Sequence, residues 1–225
     1  MSDLKNFTFK KLFTKEFSYL FLLLYWPIHG LVFWLVERVF VASSYTTVYC
    51  FLDAKIPFCE FFVIPYFLWF PYLVIGFLYV LIFDTAQFKK AMYFTILTFG
   101  LTMTFYFVFP NMQQLRPTEF VRDNIFVDMV KGLYKTDTPT NVCPSMHVFG
   151  SIAISFATWN AKNLKTIGWR ILFSVMTVLI SISTLFLKQH SVVDVVSAIV
   201  LSFLFYPLTF ILPDKIKAKR EKGKR

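Results

Sequence analysis

Six long apolar runs, separated by short polar breaks, recur along this chain and leave little from which a soluble fold could be built. A helix rises about 1.5 Å per residue, so crossing a hydrocarbon core about 30 Å thick takes about 20 apolar residues. The runs fall at about 17–40, 61–83, 91–109, 144–159, 171–187 and 192–212. With 57% of its 225 residues hydrophobic and only 16% charged, the chain lacks the polar surface of a soluble domain of this length. These runs predict an all-α integral membrane protein, a six-transmembrane-helix bundle.

The breaks divide the chain into an amphipathic N-terminal segment (1–16), a six-span membrane domain (17–212) and a basic tail (213–225). The N-terminal segment sets Lys5, Lys10, Lys11 and Lys15 among phenylalanines, a pattern suited to a membrane surface. Pro65 and Pro71 predict kinks in the second run and Pro110 a stop to the third, while Pro213 opens the basic tail after the sixth. Asp84 to Lys90 reads as a tight polar turn between the second and third spans. The polar stretch 111–141 mixes charges of both signs with apolar positions, which predicts a folded helical or irregular cap between spans three and four.

The formal charge of +10 follows a topological pattern. No basic stripe interleaved with aromatics is present, so no nucleic-acid partner is expected. With six spans, sixteen of the 23 lysines and arginines fall on the side of the two termini and seven on the other. The positive-inside rule then predicts both termini in the cytoplasm and the cap on the outer face. The first run is too long for a signal-peptide core and is followed by no small-residue cleavage site, so it reads as a retained span.

Three cysteines, Cys50, Cys59 and Cys143, show neither CxxC pairing nor metal-ligand spacing. Cys50 and Cys59 share a loop, and their pairing is left open. Cys143 reads as a small buried hydrophobe. His29, inside the first span, reads as a packed, hydrogen-bonded residue.

Three polar-to-apolar boundaries fall together on the expected outer face: Gln113-Gln114-Leu115-Arg116-Pro117, Cys143-Pro144-Ser145-Met146-His147 and His190-Ser191-Val192-Val193-Asp194. His190 and Asp194, four apart at a helix start, share a face. A carboxylate on one ring nitrogen fixes the tautomer and leaves the other nitrogen as nucleophile or base. The plainer reading is that the pair merely satisfies itself. Pro144-Ser145 opens a helix whose free N–H groups favour an anion, and His147 in that turn can protonate a departing oxygen. Arg116 offers a planar fork for phosphate oxygens or, more plainly, an interfacial anchor.

Arg116-Pro117, Pro144-Ser145-Met146-His147 and His190-x3-Asp194 resemble the three motifs of the type 2 phosphatidic acid phosphatase superfamily, K-x6-R-P, P-S-G-H and S-R-x5-H-x3-D. The resemblance implies His190 as nucleophile, Asp194 as its partner, His147 as general acid, and Arg116 with Ser145 as phosphate ligands. Neither metal nor other cofactor is implied. Phe109 stands where the family has its lysine, Met146 where it has glycine, and Thr184 where it has arginine. Two phosphate-binding cations are thus missing, which favours a singly charged phosphodiester, as in the sphingomyelin synthase and inositol phosphorylceramide synthase branch. Lys188 is a candidate to replace one lost charge. The expected activity is cleavage of a lipid phosphate ester at the outer face of the plasma (inner) membrane through a phosphohistidine, with transfer to water or to a lipid hydroxyl. The alternative is a catalytically degenerate, lipid-binding membrane protein.

Overall fold

The computed structural model describes residues 8–14 and 16–223; Lys5 and Lys15 of the expected amphipathic segment lie outside the described residues. A 3-10 segment, Ser18–Leu24, runs into α1 (Tyr25–Arg38). After a loop come α2 (Val63–Phe67), α3 (Trp69–Phe83), α4 (Thr85–Val108), α5 (Ile125–Thr136), α6 (Met146–Asn160), α7 (Ile167–Phe186), α8 (Val192–Tyr206) and α9 (Leu212–Lys222). Two-residue strands β1 (Thr46–Thr47) and β2 (Asn111–Met112) pair in parallel and tie the first loop to the stretch after α4. Among the described residues five helical stretches are long and apolar enough to cross a membrane: Ser18–Arg38, Glu60–Phe83, Thr85–Val108, Ile167–Phe186 and Val192–Lys219.

The run expected at 144–159 becomes α6, whose 15 residues span about 22 Å and fall short of a full crossing by length. It is nevertheless the centre of the bundle, packed against α3, α4, α7 and α8. Small residues bring α3 and α6 close, because a Cβ on Gly76 would lie 2.5 Å from Ile154 and one on Gly150 would lie 3.2 Å from Trp69 and Leu73. Both ends of α6 are tied to α4. Asn111, just past the end of α4, holds the backbone of Val142 and Cys143, while Asp84, just before its start, accepts from the Lys162 N–H at 3.1 Å. The two helices therefore run antiparallel along the same stretch of the bundle.

Local chemistry moves several boundaries away from where composition placed them. Asp84 caps α4 by accepting from the Gln87 N–H, so the residues expected to form a turn at 84–90 are the helix's first turns. Pro71 cannot donate to the Phe67 carbonyl and crowds it, and the second span breaks at Leu68, between α2 and α3. Pro213 does not end the last span. A π-helical turn at Pro207–Ile211 resets the register so that Pro213 sits in the first turn of α9, where its missing N–H is not called upon, and the helix continues to Lys222. Lys90 at the start of α4 pairs with Asp214 at 2.6 Å, and Tyr19 packs edge-on against Phe88 at 6.0 Å. Both described ends of the chain thus lie at the same end of α4.

The stretch 111–141 contains α5, capped by the Asn124 side chain, which accepts from the Phe126 and Val127 N–H groups. Val127, Val130 and Leu133 form its buried face, and Val130 and Leu133 pack with Val63, Tyr66 and Leu187. Buried Glu60 accepts from both Arg122 and Asn124 at 3.0 Å, which holds the approach to α5 against the start of the second span.

Candidate active site

His147 and His190 are brought together by the way two helices start. Asn111 Oδ1 accepts from the N–H groups of Val142 and Cys143 at 3.0 and 2.8 Å, and the Tyr106 hydroxyl donates to the Pro144 carbonyl at 2.8 Å. Ser145, the N-cap of α6, donates its N–H to the Asp194 carbonyl at 3.1 Å, which docks the first turn of α6 onto the first turn of α8. α8 opens on a capping box in which Ser191 Oγ accepts from Val193 N–H and Asp194 Oδ2 accepts from Ser191 N–H at 2.9 Å.

The same Asp194 oxygen lies 3.1 Å from His190 Nδ1. This contact orients the imidazole and leaves Nε2 facing His147 Nδ1 at 3.4 Å, with the rings tilted 68° to one another. His147 packs against two aromatic rings, Tyr66 at 4.6 Å and Trp69 at 4.4 Å between ring centroids. The two histidines stand at the head of a cavity of about 970 Å³. Gln189, Asp137, Thr140 and Asn141 border its polar end; its walls, from α1 and α3, are mostly apolar and aromatic.

The expected phosphate ligands do not border this cavity. Arg116 is turned aside: its guanidinium donates to the Tyr134 carbonyl at 3.2 Å and to Gln189 Oε1, and lies 4.4 Å over the Tyr134 ring. Partial burial holds its pKa below the ordinary arginine value against the charge of Asp137. Ser145 is fully buried, and its hydroxyl has no hydrogen-bond partner among the described residues. Lys188, in the left-handed region at φ 53°, donates to the carbonyls of Asp53 and Ile56. Burial depresses its pKa and the Asp53 charge opposes that. These bonds tie the 50s loop to the α7–α8 turn and engage the ammonium expected to replace a lost cation, outside the cavity lining.

The three departures from the resembled motifs are equally placed. The Thr184 carbonyl accepts from the Gln189 and His190 N–H groups at 2.9 and 3.1 Å while its hydroxyl bonds the Ser181 carbonyl, so it supports the His190 backbone from behind. Met146 borders the cavity, and Phe109 packs on Phe105. The Cys143 thiol lies 3.7 Å from Ser197 Oγ and is pushed up to about 12, first by burial and then by the Asp194 charge, which keeps it protonated. Cys50 and Cys59 are free. His29 stacks on Tyr25 at 5.4 Å and lines the cavity wall.

Two carboxylates escaped the sequence reading. Asp53 is buried and accepts from Ser191 Oγ, Val192 N–H and Cys50 N–H at 2.6, 2.7 and 2.7 Å, so it clamps the start of α8 from outside the capping box. Asp137 accepts from the Tyr66 hydroxyl at 3.1 Å and from Gln189 Nε2 at 3.3 Å. Burial raises its pKa, against the lowering effects of the Tyr66 hydrogen bond and of the charges on His190 and Arg116. A run Arg116–Gln189–Asp137–Tyr66 thereby reaches the ring of His147. Arg116 was marked in the sequence and Gln189 stands next to His190, but Asp137 and Tyr66 sit in a polar stretch and an aromatic run that mark neither. No family model, curated protein or solved structure matches the chain.

Proposed function

We infer that this chain is a membrane enzyme that cleaves a lipid phosphate ester through a phosphohistidine on His190. The observation that carries the reading is the alignment of Asp194, His190 and His147 at the head of a cavity that is polar at that end and apolar along its walls. A phosphodiester or phosphomonoester at the polar end with its hydrocarbon among the aromatics matches that division of chemistry.

In the first step His190 Nε2 attacks phosphorus, a P–N bond forms, and the ester P–O bond breaks. Asp194 keeps the proton on Nδ1, and His147 gives a proton to the departing oxygen. At 3.4 Å the two rings leave no room for a phosphoryl group between them, so a substrate arriving from the cavity spreads the pair. In the second step water or a lipid hydroxyl attacks phosphorus, the P–N bond breaks, and His147 takes the acceptor's proton. The scarcity of cations facing His190 supports a singly charged diester over a doubly charged monoester, and with it transfer of a head-group phosphate to a lipid hydroxyl. This agrees with the resemblance to the type 2 phosphatidic acid phosphatase superfamily.

The membrane arrangement that goes with this reading has six spans. α6 is short, but its two ends are bonded to the two ends of α4, so it covers the same crossing. The histidines then lie at the opposite face from both termini, and the excess of lysine and arginine at the terminal end supports a cytoplasmic location for them in the plasma membrane.

The test is phosphate trapping on purified protein in detergent with chelator, using phosphatidic acid and common phosphodiester lipids with and without diacylglycerol or ceramide. Acid-labile phosphate or head-group phosphate on wild type, absent from His190→Ala, is the expected result. Full turnover by His190→Ala on every lipid tested would exclude the mechanism. The second reading, lipid binding without turnover, is favoured by one observation, the diversion of Arg116 onto Gln189 and Tyr134. Binding of these lipids with neither trapping nor turnover would establish it.

A further inference from the structure

The cavity below the histidines is a groove of defined length. α1 packs mainly on α4, while its approach to α3 is marked by Trp26, which meets Phe77 edge-on at 5.2 Å and Phe99 at 6.2 Å. Above that contact the space between α1 and α3 is open. On α3 it is walled by Phe70, Val74 and Leu78, whose exposures of 58%, 58% and 48% give the groove an apolar rim at the molecular surface. On α1 it is walled by Phe33, Gly30 and Trp26, one turn apart in succession. Above that contact, from Trp69 to Phe77 on α3 and from Trp26 to Phe33 on α1, the lining covers about 10–12 Å of helix. That lies within a single leaflet, half of a hydrocarbon core about 30 Å thick.

Gly30 has a particular place in this wall. It lines the groove, and a Cβ built on it would meet nothing within 4 Å. In a helix interior glycine is less favourable than every residue but proline, and here no neighbouring helix requires its small size. The space beside it belongs to the groove.

We propose that the α1–α3 groove holds one hydrocarbon chain of the lipid substrate, admitted sideways from the bilayer, that Gly30 keeps its middle open, and that Trp26 against Phe77 sets the length it accepts. The proposal rests on the lipid-ester reading of the site above it. A chain lying here buries its methylenes against aromatic walls, and affinity should rise about fourfold per methylene until the chain reaches Trp26. Longer chains gain nothing further.

The test compares phosphatidic acids or the corresponding phosphodiester lipids with acyl chains of graded length in mixed detergent micelles, for wild type, Gly30→Leu and Trp26→Ala. Gly30→Leu should lower the long-chain to short-chain ratio of kcat/KM tenfold or more, and Trp26→Ala should move the preferred chain to a longer one. An unaltered ratio in Gly30→Leu together with an unmoved optimum in Trp26→Ala overturns the proposal. A second measurement is independent of turnover. Phosphatidic acid carrying a diazirine at the chain terminus is photolysed on wild type and the labelled peptides are identified. Label in the 23–33 and 69–78 peptides, reduced in Gly30→Leu, supports the groove; label confined to α7 or α8 overturns it. If wild type labels there but turns over none of these lipids, the groove stands and the catalytic reading falls.

Discussion

His147 is more tightly held than a proton carrier at a solvent-exposed rim would be. Tyr66 and Trp69 pack against its ring, and its Nδ1 is 3.4 Å from the nitrogen that would attack phosphorus. A ring so confined is suited to deliver a proton along one direction. Its importance should therefore depend on how much the leaving oxygen needs that proton. In His147→Asn, the first step on an alkyl lipid ester should slow about 10²–10⁴-fold, whereas that on an aryl phosphate ester such as the p-nitrophenyl ester, whose leaving group departs as the anion, should lose far less. Release of the leaving group in a single turnover measures the difference, and equal losses on both would show that His147 is not the acid of that step. The identities of His147, His190 and Asp194 were legible in the sequence because each marks a polar-to-apolar boundary, a local signal. The orientations of Arg116, Ser145 and Lys188 were not. Each depends on a partner distant in sequence: Gln189 for Arg116, the Asp194 carbonyl for the Ser145 N–H, and the 50s loop for Lys188.

At the scale of elements, the start of α8 carries more of the site than its own capping box explains. Asp53 reaches it from a loop that follows the first span and satisfies Ser191 Oγ, Val192 N–H and Cys50 N–H with one buried carboxylate, while the Asp53 carbonyl accepts from Lys188. Replacing the side chain by alanine strands three buried or partly buried donors beside the Lys188 charge. Asp53→Ala should cost about 3 kcal/mol, and Asp53→Asn, which keeps an acceptor, clearly less. Thermal unfolding in detergent, with a fall of about 6–12 °C for the alanine variant, reads this directly; an unchanged midpoint would mean that the loop is not a brace for α8. Such ties also explain which helix limits were legible. Apolar runs announce a span because the bilayer acts on composition. The start of α4 at Thr85 and the passage of the last helix through Pro213 depend instead on a cap shared with Lys162 and on a π turn, which composition does not register.

The whole molecule poses a question of parity. Among the described residues five helical stretches reach spanning length, which alone would place the two termini on opposite sides of a membrane; with α6 as a sixth crossing they share one. The arrangement proposed above has six. Tyr19 and Asp214 both sit against the first turns of α4, and the only route from the far end of α4 back to Lys162 is through α6. Exposed positions at the two ends make the matter measurable. In cells expressing a variant without the three native cysteines, Glu119→Cys should react with a membrane-impermeant maleimide in intact cells, and Lys165→Cys only after permeabilisation. The opposite pattern would invert the molecule and put the histidines on the cytoplasmic side. A tag following Arg225 and one preceding Met1, both protected from added protease until the membrane is opened, would settle the parity in favour of six. A single tag accessible from outside would mean that α6 does not cross, and that His147 reaches His190 on a helix that only dips into the bilayer.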